Sequence, residues 1–421
     1  MKLATTKRGR LLSVGAFVTA AAMMFAACSS DEPAAEDVVV VDPVEGGGAG
    51  GSINILIGSS GPAETQTVTA QVAQCSAETG VQGTVITSTD QTQELSQGFA
   101  AGNPADLFYL PQDQLANWAA AGNLWAYGDQ LGEFSFYPAL VDAFTYDGTF
   151  YAAPKDFSTL ALAINEDQWA AAGLTDADIP TTWDQLEHVA QELTRDGHVG
   201  LSFGPEWQRI GVFMAQAGGG LLDANGHAAV DTPENLAALE FVQRGLQEGW
   251  IAYPSAIDSG WGGEAFGSGR AAMTIEGNWL MGAMANDFPN VDFKVVPLPT
   301  GPNGGQGTLM FTTGWGIAQA SSNHQGALAM VKCLLSDEQQ MAAAEGFGVM
   351  PATTTVADEW AAAFPEQAAF IGGGNYAQTF PAIQGIAPVI GDFGSQLEGL
   401  SNANAHSILT SVQGSLADIT N

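Results

Sequence analysis

Basic residues are what this 421-residue chain has least of: 11 Lys and Arg stand against 45 Asp and Glu. Four of the eleven precede Cys28, so the remainder carries seven basic residues and a formal charge of −38. A surface of that sign repels phosphate backbones and anionic headgroups, which excludes nucleic acid and most polyanions as partners. The imbalance comes from missing lysines more than from surplus acids, and solubility in salty surroundings accounts for it without a cation site. Cysteine is equally scarce. Beyond Cys28 there are only Cys75 and Cys333, and the five histidines are scattered. These spacings suit no zinc site, so neither metal nor cofactor is expected. Outside the cytoplasm the two thiols stand either as a disulfide or as two separately buried side chains. Val68, Val72 and Cys75 share a helical face, which turns Cys75 toward a core. After the first thirty residues no apolar run approaches the twenty or so that a membrane span requires.

What is present begins with an export signal. Lys2, Lys7, Arg8 and Arg10 precede an apolar stretch from Leu11 to Phe25, too short for a permanent span. The sequence Phe25-Ala26-Ala27-Cys28 resembles the lipobox of bacterial lipoproteins, although Phe25 stands where leucine is usual. Residues 1–27 therefore read as a signal peptide and Cys28 as the lipidated residue. That anchor would be the chain's one contact with a membrane, with the protein facing the extracellular or periplasmic side. Residues 28–52 carry six acids, no base and a glycine-rich end, and read as a disordered tether spanning roughly 25 Å.

The rest, from Ile53 onward, is long enough for two cores. Ile53–Ile57, Val81–Thr87 and Asp106–Leu110 read as buried strands, with a helix near Thr65–Thr79 between the first two. Thr182-Trp183-Asp184-Gln185 opens a helix whose inner face is Leu186, Val189, Ala190 and Leu193, with Gly197 as its stop. Asp231-Thr232-Pro233-Glu234 opens another, with Pro233 at the first helical position. A third spans Ser322–Leu335. Strands alternating with helices argue for an α/β fold with mostly parallel sheets.

Four blocks, in order, resemble the extracellular sugar-binding proteins of ABC importers, the maltose and multiple-sugar type. The first runs Ala105-Asp106-Leu107-Phe108-Tyr109-Leu110-Pro111-Gln112-Asp113. The second is Tyr151-Ala152-Ala153-Pro154-Lys155-Asp156-Phe157-Ser158, continuing through Trp169 to Trp183. The third runs from Phe266 through Gly269-Arg270-Ala271 to Ile275-Glu276-Gly277-Asn278-Trp279. The last couples Pro297-Leu298-Pro299 to Thr313-Gly314-Trp315-Gly316. The resemblance implies a two-lobed periplasmic-binding-protein fold with two or three hinge crossings. It puts crossings near Pro154–Ser158 and Val295–Pro299, an amino lobe at 53–155 plus 298–336, and a carboxy lobe at 156–297 plus 337–421. It also implies a monomer, not an enzyme, that binds a mono- or oligosaccharide and meets the transmembrane subunits of an ABC permease.

A sugar offers a face of C–H groups and a rim of hydroxyls, so its site needs aromatic planes and fixed carboxylates or amides. Trp279 matches a stacking tryptophan of the family, with Glu276 beside it as an acceptor. Trp207 stands where relatives place an aromatic on the ligand. Trp261 and Trp315, each flanked by glycines, are further candidates, the glycines permitting close backbone approach. From the amino lobe come Gln112 and Asp113, then Asp156 at the crossing with Lys155 beside it, and Glu64 in the first loop. Trp125, Trp169 and Trp183 read as structural.

Other chemistries fit less well. Gly200-Leu201-Ser202-Phe203-Gly204 has the spacing of a hydrolase nucleophile elbow, but Pro205 and Glu206 follow where a helix should start. A glycosidase with paired carboxylates is compatible with composition alone. Asp223-Ala224-Asn225-Gly226 lacks the further ligands of a calcium loop and reads as a hairpin turn. Gly301-Pro302-Asn303-Gly304-Gly305 lacks the Lys-Ser/Thr of a phosphate cradle. Seven dispersed tyrosines argue against ferric ion, and a polyamine is the alternative ligand that acids and aromatics allow.

Overall fold

The computed structural model describes residues 50–59, 62–132 and 134–420. The signal peptide, Cys28 and nearly all of the tether lie outside the described residues.

The chain starts with a parallel α/β unit. Strand β1 (Gly51–Ile57) leads through helix α1 (Pro62–Thr79) to β2 (Val81–Thr87), then through α2 (Gln91–Ala101) to β3 (Leu107–Pro111). Along β1, Ile53, Ile55, Leu56 and Ile57 are all buried in the core. Strand β4 (Ala153–Thr159) is followed after one residue by β5 (Ala161–Asn165), and the two belong to different sheets. Helix α3 (Trp183–Leu193) then precedes β6 (Val199–Ser202), and α4 (Trp207–Ala217) and α5 (Pro233–Glu248) precede β7 (Ile251–Ala252). Strand β8 (Ala271–Glu276), α6 (Trp279–Asp287) and β9 (Phe293–Val296) follow. Strand β10 (Thr308–Ile317), α7 (His324–Leu334), α8 (Asp337–Phe347), β11 (Met350–Pro351), β12 (Ala377–Gln378), α9 (Ile386–Glu398) and α10 (Ala405–Thr420) complete the elements used below.

Two sheets result. The first has the order β11-β4-β10-β3-β1-β2 with β12 against β10, and the second the order β9-β5-β8-β6-β7. Both are mixed rather than mostly parallel. The strands that carry the chain between sheets run antiparallel to their neighbours: β10 to β3 and β4, and β5 to β8 and β9. A strand returning from the other sheet enters from the opposite end, which produces the reversal.

The passages between sheets differ from the expected ones. Strand β4 stays in the first sheet throughout, and the handover falls at Leu160. The second passage comes later than Val295–Pro299. Thr300 still bridges to Thr182, and the bare α-carbons of Gly301 and Gly307 lie against the backbone of α4, so this glycine-rich stretch hugs the second core. The two passages are tied together: Thr308 Oγ1 accepts from the Leu160 amide at 3.0 Å and donates to its carbonyl at 2.9 Å. Residues 337–351 also depart from the expected division. Gln71 on α1 donates to the carbonyl of Gln339 on α8, and β11 pairs with β4, so both belong with the first sheet. The chain rejoins the second core from Phe380 onward, through α9 and α10.

Local signals explain most boundaries. Thr182 Oγ1 caps α3 through the Gln185 amide at 3.3 Å, and Thr232 caps α5 ahead of Pro233. Helix α3 ends at Leu193 rather than near Gly197, because Thr194 turns its hydroxyl back to the Ala190 carbonyl and ends the ladder. A disulfide links Cys75 of α1 to Cys333 of α7. Ser202 is fully buried within β6, not raised on an elbow. Asp223 accepts from the Asn225 and His227 amides and forms a hairpin turn.

Candidate functional site in the cleft between the sheets

A cavity of about 440 Å³ opens between the two sheets. One wall carries Glu64 from the first turn of α1, Tyr109 on β3, Gln112 just past it, and Lys155 and Asp156 on β4. The facing wall carries Asn278 and Trp279 where β8 gives way to α6. The polar groups of the first wall hold one another. The Tyr109 hydroxyl donates to Glu64 Oε1 at 2.9 Å, and Lys155 Nζ lies 3.4 Å from the same oxygen. Lys155 also pairs with Asp156, and its ammonium sits 4.5 Å from the Tyr109 ring centroid. Burial pushes the Asp156 carboxyl above its usual range; Lys155 opposes this and Glu64 adds to it. Burial, then the charges of Glu64 and Asp156, raise the Tyr109 hydroxyl well above its ordinary value, so it remains a donor. Gln112 anchors its amide nitrogen near the Met310 carbonyl, while its buried Oε1 has no partner among the described residues. The residue as a whole lines the cavity.

Trp279 is one of two large apolar side chains left exposed among the described residues, at 37%. Its indole N–H donates to Glu276 Oε2 at 3.0 Å, and Phe311 of β10 meets its ring edge-on at 5.2 Å. The bare α-carbon of Gly277 lies under the ring; a Cβ there would come within 2.2 Å of it. The same Glu276 oxygen accepts from Arg209 at 2.7 Å, and the guanidinium lies 5.2 Å from the Trp279 centroid. Glu276 is therefore engaged in holding Trp279. Burial raises its carboxyl, against the pull of Arg209.

The other expected residues are spread along the same gap. Trp261 and Glu276 line an adjoining recess of about 490 Å³ with Arg209, Glu206 and Glu398. Asp113 lines a third, of about 390 Å³, with Glu206, Phe380 and Glu398. Its carboxyl is raised, chiefly by burial. Two of the expected residues are buried in the cores. Trp207, 4% exposed, is packed edge-on against Phe380 in the second core. It opens α4, a helix buried on nearly every side. Trp315, 2% exposed, packs against Tyr109 in the first core. The glycines beside it make room for core rings, Phe144 at Gly314 and Phe108 at Gly316, and not for a ligand. Sequence reasoning missed Arg209, Tyr109, Asn278 and Phe311. Arg209 had a signal: it is one of only seven basic residues after Cys28, which makes a cation on an apolar helix conspicuous.

Two α/β halves facing each other across a gap lined by an exposed tryptophan, amides and buried carboxylates describe a receptor for a small polar molecule. The sequence profile of the family described as bacterial extracellular solute-binding protein matches residues 70–371, most of the chain. This chain belongs to that family. The solute-binding protein is 23% identical over 270 residues to a binding protein of Brucella abortus, a match covering 62% of this chain and 65% of that relative. It thus spans a little under two thirds of that relative's length. It is 24% identical over 279 residues to the diacetylchitobiose binding protein DasA of Streptomyces coelicolor, covering 62% of this chain and 63% of DasA. In three dimensions it resembles the cyclic α-maltosyl-1,6-maltose binding protein of Arthrobacter globiformis, with a TM-score of 0.78 and 21% identity over 88% of this chain and 99% of the other. The family and these neighbours are binding proteins rather than enzymes, and the shared fold is the two-lobed one. Among the described residues of the solute-binding protein, no helix is long and apolar enough to cross a membrane and no cluster could hold a metal ion.

Proposed function

We propose that this protein captures a carbohydrate, a mono- or oligosaccharide, in the cleft between its lobes and delivers it to the membrane subunits of an ABC importer. The observation that carries the reading is Trp279, an indole left 37% exposed at a cleft whose other polar groups are already held in place. An apolar plate beside fixed acceptors fits the C–H face and hydroxyl rim of a sugar. Gln112, Asp156 and Glu64 serve the rim from the first lobe, and Trp261 and Asp113 extend the contact into the adjoining recesses. Relatives named for diacetylchitobiose and for a cyclic maltosyl-maltose support the same class. Closure of the lobes stores no chemistry: the ligand binds the closed form better and shifts the population toward it.

Cys28 is the anchor in this reading, acylated after removal of residues 1–27 and followed by the acidic tether. Cys28→Ala should move the protein from the detergent to the aqueous phase on phase separation; retention in the detergent phase would sink the anchor.

The test of function is thermal unfolding of the compact unit from Val44 onward against sugars and polyamines. A ligand at a hundred times its dissociation constant stabilises by about 2.7 kcal/mol, several degrees in melting temperature. A shift with one sugar group names the substrate. A shift with spermidine alone would replace the carbohydrate by a polyamine.

A further inference from the structure

Arg209 stands where no ligand-facing role was expected. It comes from the third position of α4, is only 9% exposed, and is one of two buried cations that line the cleft, Lys155 being the other. Its four neighbours are two carboxylates and two aromatic rings. One guanidinium nitrogen donates to Glu276 Oε2 at 2.7 Å, and another lies 3.7 Å from Glu206 Oε1. The flat face lies 5.2 Å from the Trp279 ring centroid and 5.6 Å from that of Phe311. Glu276 Oε2 in turn accepts the Trp279 indole N–H at 3.0 Å. The three side chains therefore form a closed unit in which each residue touches the other two.

The indole also stands between two spaces. Trp279 and Phe311 line the central cavity, which Arg209 does not reach; Arg209 and Glu276 line the adjoining recess, which Trp279 does not. A tryptophan with a free χ1 and χ2 would turn its ring between these spaces. Here the N–H is pinned by Glu276, the ring is seated against the guanidinium, and Gly277 leaves room beneath it. A planar cation suits this place because it donates to Glu276 and turns a second nitrogen toward Glu206 at ion-pair distance while its face stays against the ring.

We propose that Arg209 is a positioning residue, setting the plane of the Trp279 indole and thereby the orientation of any ring stacked on it. The consequence for binding rests on the carbohydrate reading of the cleft; the positioning itself does not. Arg209 also opposes the effect of burial on the Glu276 carboxyl. Apart from Arg209, the charged and titratable groups facing Glu276 are Glu206, Glu398 and Tyr253, all from the same recess, and none supplies positive charge. Without Arg209 the buried Glu276 would take up a proton much more readily and lose its grip on the indole.

The experiment is fluorine NMR of the full chain carrying 5-fluorotryptophan. It shows ten tryptophan signals, and the one absent from Trp279→Phe is Trp279. In Arg209→Met that signal should shift and broaden while the other nine hold, and its pH dependence should lie at higher pH than in the wild type, since Arg209 opposes protonation of Glu276. Should Arg209→Met fail to fold, Arg209→Lys decides: it keeps the charge but not the planar face, and should still displace the Trp279 signal. An unmoved Trp279 signal with the wild-type pH dependence in the folded variant overturns the proposal, as does movement of all ten together. No sugar is needed, so a failed carbohydrate panel and a failed positioning role are separate results.

Discussion

Cys75 and Cys333 lie 258 residues apart in sequence and are bonded, with their α-carbons 5.7 Å apart. The bond clips α7, reached only after the chain has visited the second lobe and returned, to α1 of the opening α/β unit. Closing so long a loop restricts the unfolded chain more than the folded one. Replacing both cysteines by serine should therefore lower stability by about 2–5 kcal/mol, read from denaturant midpoints of the oxidised parent and the variant. Equal midpoints would show that the unfolded chain gains nothing from losing the link.

Trp279 makes the opposite prediction. Its ring is part-exposed, so Trp279→Ala should leave the melting temperature of the free protein almost unchanged. Sugar affinity should fall by about 1–3 kcal/mol, as when an aromatic plane is lost from a closed site. Titration calorimetry checks this, and an unaltered affinity would remove Trp279 from the site.

At Trp315 the two readouts exchange places. The side chain is 2% exposed and packs on Tyr109, so alanine leaves a cavity in the first core. Stability should drop by about 3–5 kcal/mol, measured by chemical denaturation. A variant that keeps its stability and loses sugar binding would reinstate Trp315 as a ligand contact.

Burial holds the carboxyls of Asp156, Glu276 and Asp113 above their usual range in the folded protein. Such a group binds its proton more tightly folded than unfolded, so its contribution is most favourable below the ordinary value of about 4 and is lost as pH rises through the raised one. The formal charge of −38 adds repulsion of the same sign. Unfolding midpoints should therefore decline as pH rises above the ordinary carboxylate value of about 4. Asp156→Asn, with Glu64 still facing Lys155, should flatten the decline; an unchanged slope would mean Asp156 is not a source of it.

The sequence by itself determined everything that local chemistry can decide. Charge excluded polyanions. The n-region, apolar stretch and Phe25-Ala26-Ala27-Cys28 set the expectation of export. Periodicity and caps located four helices and three strands to within a few residues, because hydroxyl caps, Pro233 and apolar spacing act over a handful of positions. Four spaced blocks pointed to the two-lobed fold. The second passage, the place of residues 337–351 and the direction of each tryptophan were decided only by tertiary structure. Trp207, Trp261, Trp279 and Trp315 all sit beside glycines or loops, yet two fill cores and two line the gap. What separates them is which rings come from elsewhere, Phe108 and Phe144 around Trp315 and Phe380 against Trp207, and where a distant cation stands. Arg209 meets Glu276 across 67 residues, and no pattern of period two or 3.6 reaches that far.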